Sequence, residues 1–261
     1  PDQKNNYNLF WKKFDSGPIS IVPGKVDQAL QFDGVNDVLS RAYTPAFDFG
    51  AKSFTIEGWI KMEDLDTFQY LLDYYSVNKG YIISLNSVGG DLCIYSGGFT
   101  TSCSGANIIV ANEWTHFAIA RSGQQVNFYI NGNLKNGFSE GNFFINDSPT
   151  LKLFIGAYYI PNSSPPNYLF PFKGALDELS VYQRALTAAE IKQIYDSGVK
   201  GIGKCALESS CTDQIDNDGD GNLDCADTDC TQPVVILLGA DADYTATISA
   251  QACPGATVSL Q

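Results

Sequence analysis

The chain has 261 residues and sets 16 Lys and Arg against 29 Asp and Glu, a formal net charge of −13. That balance excludes the basic surface that nucleic acid or an anionic membrane would require, and it favours cations as partners. The length suits one large β-sandwich plus a smaller module, and no apolar run reaches the roughly 20 residues that cross a bilayer, residues 234–240 being only strand-length.

The sequence begins without Met and without a signal-like segment, so it is expected to be processed or excerpted. Over residues 7–200 short alternating runs are broken by Gly, Asn, Asp and Pro, the pattern of an antiparallel sandwich. The run from Phe54 to Ile60 puts Phe54, Ile56 and Ile60 on one face and Thr55, Glu57 and Trp59 on the other. Val126, Phe128 and Ile130 repeat the device, with Asn127 and Tyr129 outward, and Asn131-Gly132 supplies a hairpin turn. Cys93 and Cys103 flank Ser96-Gly97-Gly98, so a hairpin there would bring them close enough for a structural disulfide. Near residue 187 a helix begins, with Thr187 as N-cap, Glu190 closing a capping box, and Leu186 and Ile191 as hydrophobic staple. Gly198 is expected to end it.

Four passages occur in order: Ala29-Leu30-Gln31-Phe32-Asp33-Gly34; Phe54-Thr55-Ile56-Glu57-Gly58-Trp59-Ile60; Trp114-Thr115-His116-Phe117-Ala118 with Tyr129-Ile130-Asn131-Gly132; and Gly174-Ala175-Leu176-Asp177-Glu178-Leu179-Ser180-Val181-Tyr182-Gln183-Arg184-Ala185-Leu186. Together they resemble the laminin-G-like, concanavalin A-like jelly-roll domain over roughly residues 7–200. The resemblance implies two antiparallel sheets packed face to face, with a late strand around Asp177 and the short helix after it. It also implies a structural ion near Asp33 and Asp177; the alternative is that both carboxylates bond turn amides.

After a linker at Gly201-Ile202-Gly203 comes an acidic stretch with the spacing of a calcium loop. Asp216, Asp218, Asp220, Asp224 and Asp227 fall at positions 1, 3, 5, 9 and 12, with Gly221 at the bend, Asn222 offering its carbonyl and Leu223 as anchor. Position 12 is Asp rather than the Glu of an EF-hand, and no helical pattern flanks the loop. Residues 205–230 instead resemble the Cys-bounded loops of thrombospondin type 3 repeats. Five of the seven cysteines lie in this last part of the chain, which suggests an oxidising compartment and bridges among Cys205, Cys211, Cys225 and Cys230. Cys253 has no evident partner. Zinc is disfavoured there, because the tail has no Cys-x-x-Cys pair and the sole histidine is His116.

Residues 234–238, 244–249 and 256–260 read as strands too few to bury a core. They must continue past Gln261, lean on the preceding modules, or be completed by another chain. The domains expected are therefore 1–200, a sandwich; 201–232, a calcium module; and 233–261, a β-strand segment. The fold class is all-β, an antiparallel jelly-roll sandwich with a small calcium and disulfide module and a short β-rich C-terminal segment.

The outward face with Glu57, Trp59, His116, Asn127 and Tyr129 could hold a sugar, or its tryptophan could be packed away. Residues 157–172, with Tyr158, Tyr159 and Tyr168, form an aromatic loop expected to be a contact surface or a lid. Asn146 and Asn162 match the glycosylation sequon, Pro149 weakening the first. No catalytic residue is nominated: glucanases on this fold set two carboxyls about 5 Å apart along one strand, whereas Asp177-Glu178 is an adjacent pair expected to point to opposite faces. The expected function is a non-enzymatic extracellular or cell-surface adhesion protein stabilised by Ca2+, assembling into a filament or layer through residues 233–261. The alternative is a carbohydrate-binding, lectin-like adhesin with glycan partners. Neither nucleic acid nor membrane insertion is expected.

Overall fold

The computed structural model describes residues 19–43, 47–76, 79–86, 90–96, 100–105, 108–139, 151–160 and 167–201, with strand fragments between 234 and 258. Its elements are β1 (Ser20–Pro23), β2 (Gln28–Asp33), β3 (Leu39–Arg41), β4 (Phe54–Met62), β5 (Gln69–Ser76), β6 (Lys79–Asn86), β7 (Asp91–Ser96) and β8 (Thr100–Cys103). There follow β9 (Thr115–Ser122), β10 (Gln125–Ile130), β11 (Asn133–Ser139), β12 (Leu153–Ile155), β13 (Tyr158–Ile160), β14 (Asn167–Leu169), β15 (Lys173–Tyr182) and α1 (Ala188–Val199). One sheet runs β1-β2-β15-β4-β9-β10-β11 and the other β3-β12-β5-β6-β7-β8, with β13 and β14 as a separate hairpin. Every pairing is antiparallel, so the expected jelly-roll class is the observed one.

The inward residues of both sheets fuse into one core. Phe54, Ile56, Ile60, Val126, Phe128 and Ile130 from the first sheet meet Leu72, Tyr74, Tyr81, Ile83, Leu92 and Ile94 from the second. Period-two alternation alone specifies those faces. Asn131 and Gly132, at φ 50° and 72°, make the two-residue turn that joins β10 to β11 with the twist a hairpin needs. Cys93 pairs with Cys103 across β7 and β8, and the two sulfurs are bonded.

Register shifts occur in three pairings of the sandwich, one of them between Phe128 and Tyr129 where β10 meets β11, and the other two redirect side chains in β15 and β5. In β15 the register slips between Asp177 and Ser180, with Glu178 in the left-handed region at φ 52°. As a result Leu176 and Leu179, three apart, both enter the core. The expectation that Asp177 and Glu178 simply alternate is thus corrected: Glu178 is the extra residue of the bulge. In β5 the register slips between Tyr70 and Leu72, and both Leu71 and Leu72 lie in the core.

Helix α1 caps itself locally: Glu190 N donates to Thr187 Oγ1 at 3.2 Å, and Thr187 N donates to the Glu190 carboxylate. Leu186, Ile191 and Ile194 then pack on Ala118, Ala120, Tyr129 and Tyr182 of the first sheet. Gly198 does not end the helix, which runs on to Val199 with Lys200 as C-cap. Its lack of a side chain serves packing instead, since a Cβ there would meet the Trp59 indole at 2.6–2.8 Å.

Of the tail, Val234–Val235 pairs with Ser180 and Val181 of β15, and two further two-stranded ladders join residues 239–240 to 246–247 and 250–251 to 257–258. The fragments at 239–240 and 250–251 lie outside the three runs read as strands. Replacing Gly198 by Ala should destabilise the fold by about 1–2 kcal/mol, the overpacking cost exceeding the gain in helix propensity. Urea unfolding of the variant beside the wild-type chain checks this.

Candidate functional site

Helix α1 decides which outer face is available. Trp59 is 2% exposed, stacked on Tyr195 with ring centroids 5.5 Å apart and met edge-on by His116 at 5.2 Å. Lys25 Nζ lies 5.1 Å from the same indole. Tyr129 is buried in the helix-facing cluster. Glu57 and His116 are wholly buried, with Oε2 and Nε2 3.1 Å apart, and the Tyr182 hydroxyl donates to Glu57 Oε1 at 3.4 Å. The face expected to hold a sugar is therefore roofed by the helix, which corrects the assignment of Trp59 and Tyr129 as ligand-binding and leaves the packed-away alternative.

The expected ion between Asp33 and Asp177 is corrected as well. Asp177 Oδ2 accepts from the amides of Lys25 and Val26 at 2.8 and 2.9 Å, while Asp33 Oδ1 accepts from those of Val35 and Asn36 at 2.8 and 3.1 Å. Lys173 faces Asp33 in the ladder, so Asp177 stands four residues further along β15, roughly 13 Å away at the rise of a strand. One ion cannot span both. Among the described residues no group of three or more His, Cys, Asp or Glu could hold a metal. Asp216, Asp218, Asp220, Asn222, Asp224 and Asp227, the cysteines at 205, 211, 225 and 230, and the sequons at Asn146 and Asn162 lie outside the described residues.

The second sheet's outer face has a different character. Its hairpin β13–β14 folds over Phe154, where Tyr159 stacks at 4.5 Å and Tyr168 leans in at 6.5 Å, joined by Val38 and Ala157. Those two tyrosines hold the hairpin down. Tyr158 instead reaches Tyr70 of β5, with centroids 5.4 Å apart, and Tyr75 meets Tyr95 of β7 edge-on at 5.5 Å. Tyr70, Tyr75, Tyr95 and Tyr158 are each partly exposed. Phe68 and Phe170 extend this row beyond Tyr70.

Beneath the row lies Asp73, 1% exposed. Its Oδ2 accepts from the Tyr159 amide at 3.0 Å, and its Oδ1 meets no hydrogen-bond partner among the described residues. Burial pushes the carboxyl up to about 8, against the opposing pull of the Tyr159 and Tyr75 amides. Burial likewise raises the Tyr70, Tyr95 and Tyr158 phenols, and acidic neighbours add to it: Tyr158 and Asp73 for Tyr70, Tyr75 for Tyr95, and Asp73 and Tyr75 for Tyr158. A neutral carboxyl under converging phenol hydroxyls and ring edges is a hydrogen-bonding floor inside an aromatic rim, the composition that binds polyhydroxylated ligands.

Of the aromatic residues read from the sequence, the structure brings Tyr158 to this row and sets Tyr159 and Tyr168 beside it. Sequence reasoning missed Tyr70, Asp73, Tyr75, Tyr95 and Phe170. The only local signal was the density of tyrosine around Asp73, and strict alternation from Tyr74 would have turned Tyr70 inward.

The family model for the concanavalin A-like lectin/glucanases superfamily matches residues 36–192. No curated protein matches the chain significantly. Among solved structures, the binding domain of Paraclostridial Mosquitocidal Protein 1 is similar at 18% identity and TM-score 0.55, over 74% of this chain and 52% of that one, so the chain spans about half its length. Domain 4 of AbnA, a GH43 extracellular arabinanase from Geobacillus stearothermophilus, in complex with arabinotriose, is similar at 23% identity and TM-score 0.52, over 69% of this chain and 82% of that one. A heptameric SAP-like pentraxin from Limulus polyphemus is similar at 16% identity and TM-score 0.50, over 82% and 94%. These likenesses are of fold.

Between about pH 4 and 8 Asp73 is ionised in the unfolded chain and protonated in the folded one, so unfolding releases a proton. Its contribution to stability is full below the unfolded value and lost as pH rises through about 8. Asp73→Asn cannot ionise. Its stability relative to wild type should therefore climb by on the order of 1 kcal/mol per pH unit across that window, measured by denaturant unfolding from pH 4 to 9.

Proposed function

The chain belongs to the concanavalin A-like lectin/glucanases superfamily, and on that premise we propose that it is a non-enzymatic, carbohydrate-binding module of an extracellular surface protein. The tyrosine row of the second sheet is its sugar site. The observation that carries this reading is the placement of Tyr70, Tyr75, Tyr95 and Tyr158 over Asp73, whose buried Oδ1 meets no hydrogen-bond partner among the described residues. Such an oxygen is costly to leave unsatisfied, and a sugar hydroxyl reaching past the phenols would satisfy it.

Several supports are independent of that geometry. The Cys93–Cys103 disulfide suits an oxidising compartment. One structural neighbour, the arabinanase domain, is in complex with arabinotriose, and others are the binding domains of a mosquitocidal protein and of botulinum neurotoxin serotype G. A non-enzymatic role is supported by those neighbours named as binding domains.

Calcium keeps a separate place in the proposal. The spacing of Asp216, Asp218, Asp220, Asn222, Asp224 and Asp227 supports a Ca2+ loop, clamped by Cys205, Cys211, Cys225 and Cys230, that stiffens the connection behind the sandwich. A second reading, assembly through residues 233–261, draws on Val234–Val235, whose addition to β15 illustrates that this tail can extend a sheet.

On a glycan array the full chain should bind neutral oligosaccharides, and Tyr158→Ala or Tyr95→Ala should weaken the best of them about tenfold or more by titration calorimetry, the equivalent of roughly 1.4 kcal/mol. Binding should persist in a chelator, because no proposed calcium ligand lies in the row. Chelation should instead lower the protease resistance of residues 201–232, and re-added Ca2+ should restore it. Deletion of residues 233–261 should abolish any concentration-dependent multimer seen by light scattering.

A further inference from the structure

We propose that Phe170 is the stacking platform of the sugar site, held in a strained backbone conformation so that its ring stands in solvent beside Tyr70 to meet the apolar face of a neutral saccharide. This rests on the carbohydrate reading above and names the class of ligand within it.

Five described non-glycine residues have left-handed φ: Asp27, Asn112, Asn131, Phe170 and Glu178. The first three are of the types that tolerate it, and Glu178 is the bulge of β15. Phe170, at φ 53°, has neither excuse. It also precedes Pro171, which restricts its backbone further. A glycine would trace the same path without strain.

The position is fixed from both sides. Tyr70 N donates to Phe170 O at 2.9 Å, while two residues later Phe172 is fully buried and meets Phe32 edge-on at 5.6 Å. Between these anchors Phe170 is 46% exposed, its ring propped by Phe68 at 5.4 Å and Tyr70 at 5.6 Å. An aromatic ring half in water, on a backbone that disfavours it, next to partly exposed tyrosines, is an arrangement that stability alone does not reward. Sugar rings present a C–H face to such a surface and hydroxyls to its surroundings, here the phenols and Asp73. With Asp73 and the phenols held neutral by burial, the row offers hydroxyl donors and acceptors rather than charge, in a chain of net charge −13. Such a surface suits an uncharged sugar, and the chain's overall negative charge disfavours a carboxylated one.

The test uses the full chain on an array of neutral pentose, hexose and N-acetylhexosamine oligosaccharides printed beside sialylated and uronic-acid ones, followed by calorimetry with the best-bound neutral oligosaccharide. Phe170→Ala, Phe170→Gly and Phe170→Leu should each lose tenfold or more in affinity. Phe170→Gly should melt above Phe170→Ala by about 2–4 °C, because only glycine relieves the backbone. Phe170→Leu keeps apolar bulk and backbone strain, so its loss of binding reports the aromatic plane. Affinities within twofold of wild type for the three variants, or a preference for sialylated or uronic-acid glycans, would overturn the proposal while leaving a sugar site in place. A wild-type chain that binds no neutral glycan overturns the carbohydrate reading and this inference together.

Discussion

The docking of α1 on the first sheet constrains everything else in the sandwich. A sheet has two faces, and in a two-sheet fold the inner pair is spent on the core, which leaves two outer faces for ligands. Here Trp59, with Tyr195 stacked on it and Gly198 pressed against its indole, locks a helix across one of them. Polar groups under that helix find partners within the sandwich: Glu57 with His116 and Tyr182, and the Thr55 hydroxyl between the Arg184 carbonyl and the Leu186 amide. Burial of this kind is tolerated only where partners are supplied. The middle of the first sheet's outer face is thereby covered, and the proposed site falls to the second sheet.

On the second sheet the chain tolerates several locally unfavourable features close together. Asp73 is buried with one oxygen lacking a hydrogen-bond partner among the described residues, β5 carries a bulge, and Phe170 adopts an unfavourable φ. Locally well-satisfied elements lie away from this face: the Asn131-Gly132 turn and the capping box of α1. On the outer face of the second sheet the unfavourable features lie beside partly exposed aromatic rings, which is where the proposed reading draws its support.

The disulfide between Cys93 and Cys103 contributes to the shape of that face. It ties edge strand β8 to β7, the strand that carries Tyr95. Hairpin β13–β14 does the same from the other side, anchored by Tyr159 and Tyr168 on Phe154 and by the Tyr159 amide on Asp73. Two short appendages, one covalent and one aromatic, thus hold the borders of the tyrosine row.

What the sequence determined by itself is whatever depends on near neighbours. The alternation of Phe54, Ile56 and Ile60, the capping box of Thr187 and Glu190, the turn at Asn131-Gly132 and the facing of Cys93 with Cys103 all follow from short-range geometry, and all occur as the residues dictate. Tertiary structure alone decided which outer face is open. Glu57, Trp59, His116 and Tyr129 carry every local mark of a polar-aromatic binding face, yet a helix more than fifty residues further along the chain covers them, and nothing in their own spacing records that. The tyrosine row is hidden for the same reason: Tyr70, Tyr95 and Tyr158 come from β5, β7 and β13, and a one-residue bulge is what turns Tyr70 toward the others. Secondary structure is written in periodicities a few residues long, whereas a surface is defined by what long-range packing leaves uncovered.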